Sequence, residues 1–115
     1  MNGKHAELFA KLVLRFKGYR IIDSNYITGK GTHAGEIDIV ATKRKTIVFV
    51  EVKKRASITT ALYAIKPEQQ KRIYKGAEAY LKYHPEYCSY KKRIDAFFVA
   101  SIFDFVHIKN AWGGS

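Results

Sequence analysis

The chain is predicted to be a single α/β domain: a mixed five-stranded sheet flanked by helices, in the order α-β-β-β-α-β-β. Three observations predict it. Apolar residues recur at helical spacing in two separate stretches, and five other stretches are rich in β-branched and aromatic residues and bounded by turn residues. The strands before and after the second helix must be joined by a right-handed crossover, which makes them parallel neighbours or near neighbours. At 115 residues and 47% hydrophobic, the chain is long enough for one real core and too short for two.

Residues 5–17 read as a helix with Phe9, Leu12, Val13 and Phe16 on one face, stopped by Gly18. "YRIIDSNYI" reads as a strand and "TGKGTHAG" as a Gly-rich turn. Residues 36–41 and 46–53 are strands joined by a short basic turn, and the first three strands form an antiparallel meander. Strand 46–53 is apolar on both alternations apart from Glu51 and Lys53, as a central strand would be. "KKRASITTALYAIK" shows no period and reads as a loop. Pro67 opens the second helix, 67–83, and Pro85 lies just beyond its end. "RIDAFFVA" and "FVHIKNAW" complete the sheet around a tight connection at Ile102–Asp104, with 94–100 parallel to 46–53. Residues 1–112 are expected to form the one domain and 113–115 a frayed tail.

Lys and Arg number 21 against 10 Asp and Glu, a formal net charge of +11, which implies a polyanionic partner. Nucleic acid is favoured over anionic membrane, because no helix reads as a strongly basic face beside exposed Trp, Phe and Leu. The single cysteine, Cys88, excludes an intramolecular disulfide and a thiolate zinc site. No apolar run approaches the roughly 20 residues of a membrane span. The N-terminus also lacks the apolar region of a signal peptide, so a cytoplasmic protein is expected.

Three of the ten acidic residues, Glu36, Asp38 and Glu51, lie inside the most hydrophobic stretch, "GEIDIVATKRKTIVFVEVKKR". Period two puts Glu51 and Lys53 on one face of their strand, and Glu36 and Asp38 on one face of theirs. A two-residue turn at Lys43-Arg44 sets Glu36 opposite Glu51 with Asp38 diagonal to it; a turn at Arg44-Lys45 sets Asp38 directly opposite Glu51. Either register gathers three carboxylates and one lysine. Like charges facing one another on a sheet are destabilising, and Lys53 can neutralise only one. Two readings follow: a salt-bridged patch with Glu36 turned to water, or a site for Mg²⁺ or Mn²⁺ built from carboxylates. The basic surroundings favour the second, since they attract phosphate to a metal that polarises it.

"GEID" on one strand and "EVK" on the next resemble the PD-(D/E)xK nuclease superfamily. With "TIVFVEVKKR", "KPEQQKRIYKGAEAYL", "RIDAFFVA" and "HIKNAW" in that order, nearly the whole chain resembles the YraN-like family of small bacterial proteins, related to archaeal Holliday-junction resolvases. The basic turn at Lys43-Arg44, where such families carry an Asp-Gly type turn, and His33-Ala34 before Gly35, where an aromatic is common, depart from the pattern. The resemblance implies a restriction-endonuclease-like core. It also implies metal ligation by Asp38 and Glu51, and a Lys53 that orients the attacking water or stabilises developing charge. Glu7 matches the first-helix glutamate that assists the metal in the resolvase relatives. On the helical wheel, however, it lies opposite Phe9, Leu12 and Phe16, as an exposed residue would. Gln70 falls on the apolar face of the second helix. With Tyr74 it resembles a Gln-x-x-x-Tyr pattern of some nucleases, and it is taken with Lys53, Asp38 and Glu51 as the catalytic set; the alternative is an amide satisfying local backbone.

Lys54, Arg55 and Ser57, on the loop leaving the site, are the first choice for nucleic-acid backbone contacts. Lys43 and Arg44 in the basic turn and Lys71 on the second helix are the further basic positions. Asp95 is expected to pair with Arg93 or to accept from loop backbone. The tyrosines of "YLKYHPEYCSY" read as packing residues with polar tips. The leading expectation is a Mg²⁺- or Mn²⁺-dependent DNA endonuclease. Branched DNA is suggested by the resemblance alone, and charge equally admits RNA. Cutting a junction calls for two sites and hence a homodimer, which the sequence does not show. The alternative is a nucleic-acid-binding protein that keeps the fold and does not cleave.

Overall fold

The computed structural model describes residues 2–28, 35–58 and 65–112. It contains α1 (Gly3–Phe16), β1 (Arg20–Thr28), β2 (Gly35–Lys43), β3 (Thr46–Lys54), α2 (Pro67–Tyr83), a 3₁₀ turn (Pro85–Tyr87), β4 (Lys91–Ser101) and β5 (Asp104–Ile108). The five strands form one sheet in chain order, β1-β2-β3-β4-β5. β1, β2 and β3 are the expected antiparallel meander, β3 and β4 are parallel, and β5 returns antiparallel to β4. The Gly-rich turn around His33, much of the loop before Pro67 and the tail 113–115 lie outside the described residues.

The two helices pack on opposite faces. Ala6, Ala10 and Leu14 of α1 are buried against Ile39, Ala41, Val48, Val50, Phe97 and Val99. Ile73, Ala77 and Tyr80 of α2 are buried against Ile37, Val40, Ile47, Phe49 and Ile94. β3 alternates as a central strand should, with Val48 and Val50 toward α1 and Ile47 and Phe49 toward α2. Gly76 lets α2 lie close on β2: a Cβ there would stand 3.0 Å from Ile37 Cγ1.

The buried stripe of α1 is not the one its periodicity suggested. Phe9 and Val13 are partly buried, but Leu12 and Phe16 are 62% and 95% exposed, and Leu8 joins them on the outer face. The helix is turned by roughly 100° from the expected orientation. The cause is size: Ala6 and Ala10 allow the helix axis to approach the sheet more closely than a face of phenylalanines would. Asn2 caps its N-terminus by accepting from His5 N–H at 2.9 Å, so the helix starts earlier than expected. Gly18, at φ 96°, ends it as foreseen. The exposed stripe also removes the reason given above for disfavouring a membrane surface, since α1 does set large apolar residues beside exposed Lys4 and Arg15. Among the described residues no helix is long and apolar enough to cross a membrane.

The last strand is shorter than "FVHIKNAW" suggests. β5 stops at Ile108; the chain turns through Asn110, at φ 51°, and Trp112 folds back onto both apolar clusters of the α2 side.

Asp95 is wholly buried, and its partners explain how that is possible. Arg93 reaches it with two hydrogen bonds, 2.8 and 3.0 Å, as the sequence suggested. Asn110 N–H donates at 3.0 Å, and His107 Nε2 lies 2.7 Å away, a partner from the neighbouring strand that local reading missed. Burial alone would raise the Asp95 pKa, but His107, Arg93 and the Asn110 backbone together hold it below the usual value.

Candidate functional site

The hairpin between β2 and β3 decides which carboxylates meet. Arg44 and Lys45 both take left-handed conformations, φ 49° and 64°, and Lys43 pairs with Thr46, so the turn is the two-residue type at Arg44-Lys45. That is the register that sets Asp38 across from Glu51. The ladder stops one pair short of them, however, at Ile39↔Val50. Asp38 Oδ2 instead accepts from Val52 N–H at 2.8 Å, taking the place of a strand carbonyl. On its other side the β1–β2 register places Asn25 opposite Asp38, and Asn25 is left-handed at φ 54°. The alternation of β2 slips here: Ile37 packs on the α2 side although Ile39 and Ala41 pack on the α1 side. A sheet that opens at Asp38 leaves room for a cleft.

That cleft, about 170 Å³, is lined by Glu7 of α1, Glu36 and Asp38 of β2, Glu51, Lys53 and Lys54 of β3, and Gln69 and Arg72 of α2. Both helices begin at it, so the positive ends of two helix dipoles face the same space. Glu7 is therefore a lining residue, contrary to the wheel reading. The rotation of α1 that exposes Leu12 and Phe16 carries Glu7 inward. Burial, and then the charge of Asp38, raises the Glu7 pKa, against the opposing effects of Lys11 and a hydrogen bond with Asn25.

Glu51 is the most perturbed group. Its pKa is pushed to about 9, first by burial and then by a hydrogen bond with Asp38 and the charge of that carboxylate. Lys53 Nζ lies 3.8 Å from Glu51 Oε2, a loose contact. With Glu51 protonated at neutral pH, the lysine keeps its charge available for another anion. Among the described residues no group of three or more His, Cys, Asp or Glu side chains is arranged to hold a metal ion. Asp38 and Glu51 form an open pair instead, and one or two carboxylates are what Mg²⁺ ordinarily takes from a protein. A proton now shared between two carboxyls is the chemistry a divalent cation would replace, so the donor set fits such an ion.

The raised Glu51 pKa has a sign that can be tested. A carboxyl whose folded pKa lies above its unfolded value contributes stability that is fully present below the unfolded value, near 4.5, and is lost as pH rises toward 9. Glu51→Gln keeps the neutral shape without the titration. It should stabilise the metal-free protein by on the order of 2–3 kcal/mol near pH 7 and have little effect near pH 4. Urea unfolding at the two pH values measures this, and equal effects at both would remove Glu51 from the buried pair.

The remaining sequence candidates divide. Lys54 lines the cleft, and Arg55 follows it, with its backbone N–H on Val99 and its guanidinium on the Lys54 carbonyl. Ser57 is half-buried beyond it, and Lys71 is exposed on α2. Gln70 does not line the cleft; its Nε2 donates to the Ile65 carbonyl at 3.2 Å, which is the local backbone role. One position earlier on the helix, Gln69 does line it, with Oε1 accepting from Lys66 N–H at 3.3 Å. Lys43 and Arg44 stand at the other end of β2 from the carboxylates. Asn25, Gln69 and Arg72 were not anticipated. Only Arg72 carried a usable signal, a cation one helical turn after Glu68-Gln69.

Compared with known proteins, residues 6–107 match the model of a family described as uncharacterised protein family UPF0102. The chain belongs to that family. A UPF0102 protein of Bradyrhizobium sp. (strain BTAi1) is 47% identical over 99 residues, covering 86% of this chain and 70% of the relative. One of Rhodopseudomonas palustris (strain BisB5) is 48% identical over 99 residues, covering 86% and 72%. One of Paramagnetospirillum magneticum is 42% identical over 111 residues, covering 96% and 86%. The YraN-like resemblance of the sequence and the α/β fold with its α-β-β-β-α-β-β order both stand. The UPF0102 match spans every cleft residue from Glu7 to Arg72.

Proposed function

We propose that this UPF0102 member is a Mg²⁺- or Mn²⁺-dependent DNA endonuclease acting at the cleft. The observation that carries this reading is the placement of Asp38 and Glu51 as an open carboxylate pair beside Lys53, at the meeting point of two helix N-termini. Asp38 and Glu51 would hold the cation, which when bound polarises a phosphodiester and lowers the pKa of bound water. Asp38 is fixed for that task by Val52 N–H, which occupies one oxygen and orients the other. Lys53, in only loose contact with Glu51, stabilises charge growing on the phosphate oxygens. Arg72 and Lys54 supply sequence-independent hold on the backbone. Glu7 adds a third carboxylate at the rim.

Purified protein incubated with plasmid and branched DNA, with and without Mn²⁺, tests the reading. Metal-dependent cleavage lost in Asp38→Ala supports it, and binding of DNA without cleavage under any metal gives the alternative, a non-cleaving nucleic-acid-binding protein. Metal binding has its own signature. Millimolar Mn²⁺ should raise the melting temperature of the wild type by mass action, with a gain of about 2–3 kcal/mol at 100-fold excess over Kd. Asp38→Ala should melt cooperatively and show no such gain.

A further inference from the structure

The opposite end of the sheet carries a second concentration of charge. The Arg44-Lys45 turn, the end of α1, the start of β4 and the segment after β5 meet there. They enclose a hollow of about 210 Å³ walled by Tyr19, Lys43, Arg44, Thr46, Arg93 and Lys109. A neighbouring hollow adds Lys91 and Lys92. Among the described residues no carboxylate lines either one. The buried Asp95 lies behind Arg93 and is committed to Arg93 and His107.

Arg93 is paired with Asp95, while the lysines are positioned without an acidic partner among the described residues. Lys43 Nζ donates to the Lys17 carbonyl at 2.7 Å and lies 5.1 Å from the centre of the Tyr19 ring. Lys45 Nζ lies 5.0 Å from the Tyr90 ring, and Lys92 Nζ donates to the carbonyls of Cys88 and Tyr90. Carbonyls and aromatic faces hold the ammonium groups in place and leave their charge intact. The crowding is felt at Lys17, whose pKa is lowered by burial first and then by Lys109, with Lys43 adding to it against the opposing charge of Asp95. Like charges gathered in this way favour an arriving anion.

We infer that this basic end is a second binding site for the phosphodiester backbone of DNA, separate from the cleft. It rests on the reading of the chain as DNA-binding but not on cleavage. From Thr46 at one end of β3 to Lys53 at the other is roughly 20 Å along the strand, or about six base-pair steps of a duplex. The two ends are therefore separate contacts, which one duplex reaches together only if it extends at least that far. The hollow is concave and includes a guanidinium and a phenol, which suits a projecting phosphate; a flat anionic membrane would reach only its rim.

The test is DNA binding in EDTA, where cleavage is silent. Lys43→Gln/Arg44→Gln/Lys109→Gln removes three charges and spares Arg93. Lys4→Gln/Lys75→Gln/Lys82→Gln removes the same number elsewhere. On a duplex of about 30 base pairs, the first variant should lose roughly 2–3 from the slope of log K against log salt and at least about tenfold in affinity, while the control changes little. A hairpin of about four base pairs, roughly 14 Å long and too short to reach both ends, distinguishes the two sources of the backbone. If one duplex spans both ends, the variant's loss appears on the long duplex and shrinks on the hairpin. If a second duplex is held, wild type brings donor- and acceptor-labelled duplexes together and the variant does not.

An unchanged slope and affinity in a variant that melts like wild type overturns the inference and leaves the cleft reading standing. Loss of binding to phosphatidylserine vesicles with DNA binding intact also overturns it, assigning the cations to a membrane surface. A wild type that binds no DNA removes both readings together.

Discussion

Lys53→Ala is expected to reduce Mn²⁺-dependent DNA cleavage by at least about 100-fold while leaving the metal-induced rise in melting temperature in place. The size follows from losing one preorganised charge at a developing oxyanion, worth about 2.7–4 kcal/mol in comparable sites. Metal binding survives because the ammonium touches Glu51 only loosely, at 3.8 Å, and its lowering effect on that carboxyl is smaller than those of burial and Asp38. Glu51→Ala should remove both cleavage and the thermal shift. Single-turnover rates and melting curves on the same samples separate the two variants. A loss of only a few-fold in Lys53→Ala would make the lysine an ion-pair partner with no part in the chemistry.

The largest stability effect is expected at Asp95, far from the cleft chemistry. Asp95→Ala strands the buried His107 and leaves the partly exposed Arg93 without its acid, and breaking a buried charged pair by removing one member costs up to about 3–5 kcal/mol. In a domain of this size that is a fall in melting temperature of roughly 10–20 °C. The pH dependence has the opposite sign from that of Glu51. Asp95 has a lowered folded pKa, so its contribution is present above its unfolded value and is lost as pH falls through the folded one. Acid unfolding of the wild type should therefore begin here. A variant that melts within a few degrees of the wild type would show that water replaces the missing carboxylate.

Most of the sheet was legible in the residues, because its signals are local. The apolar run of β3 with its two charged interruptions marked a central strand, and Pro67 and Pro85 bracketed the crossover helix. Asp38, Glu51 and Lys53 could be found because period two fixes faces. The choice between two hairpin registers could not be made, since the left-handed turn uses Arg44 and Lys45 where a glycine would have announced it. The face of α1 was misjudged because hydrophobic size is a poor guide where alanines set the closest approach. Asn25 and Gln69 join the site through the opening of the sheet at Asp38, which involves three strands at once, and the inward turn of Glu7 follows from the rotation of α1. Gln70 was chosen for its periodicity, yet helix starts reserve such amides for nearby carbonyls, as Ile65 shows.

Because the strands lie side by side in chain order, each has a partner already made when it is synthesised, and only the β3-to-β4 step has to span a helix. Such a sheet can assemble progressively as it emerges from the ribosome, with few long-range searches. Its weak moment comes late. β4 delivers Asp95 together with Arg93, but His107 and Asn110 follow more than ten residues behind. Until they arrive, the carboxylate is incompletely satisfied and the β4 edge is open. The turn after β5 thus closes the shell of partners around Asp95 only once both β4 and β5 are in place.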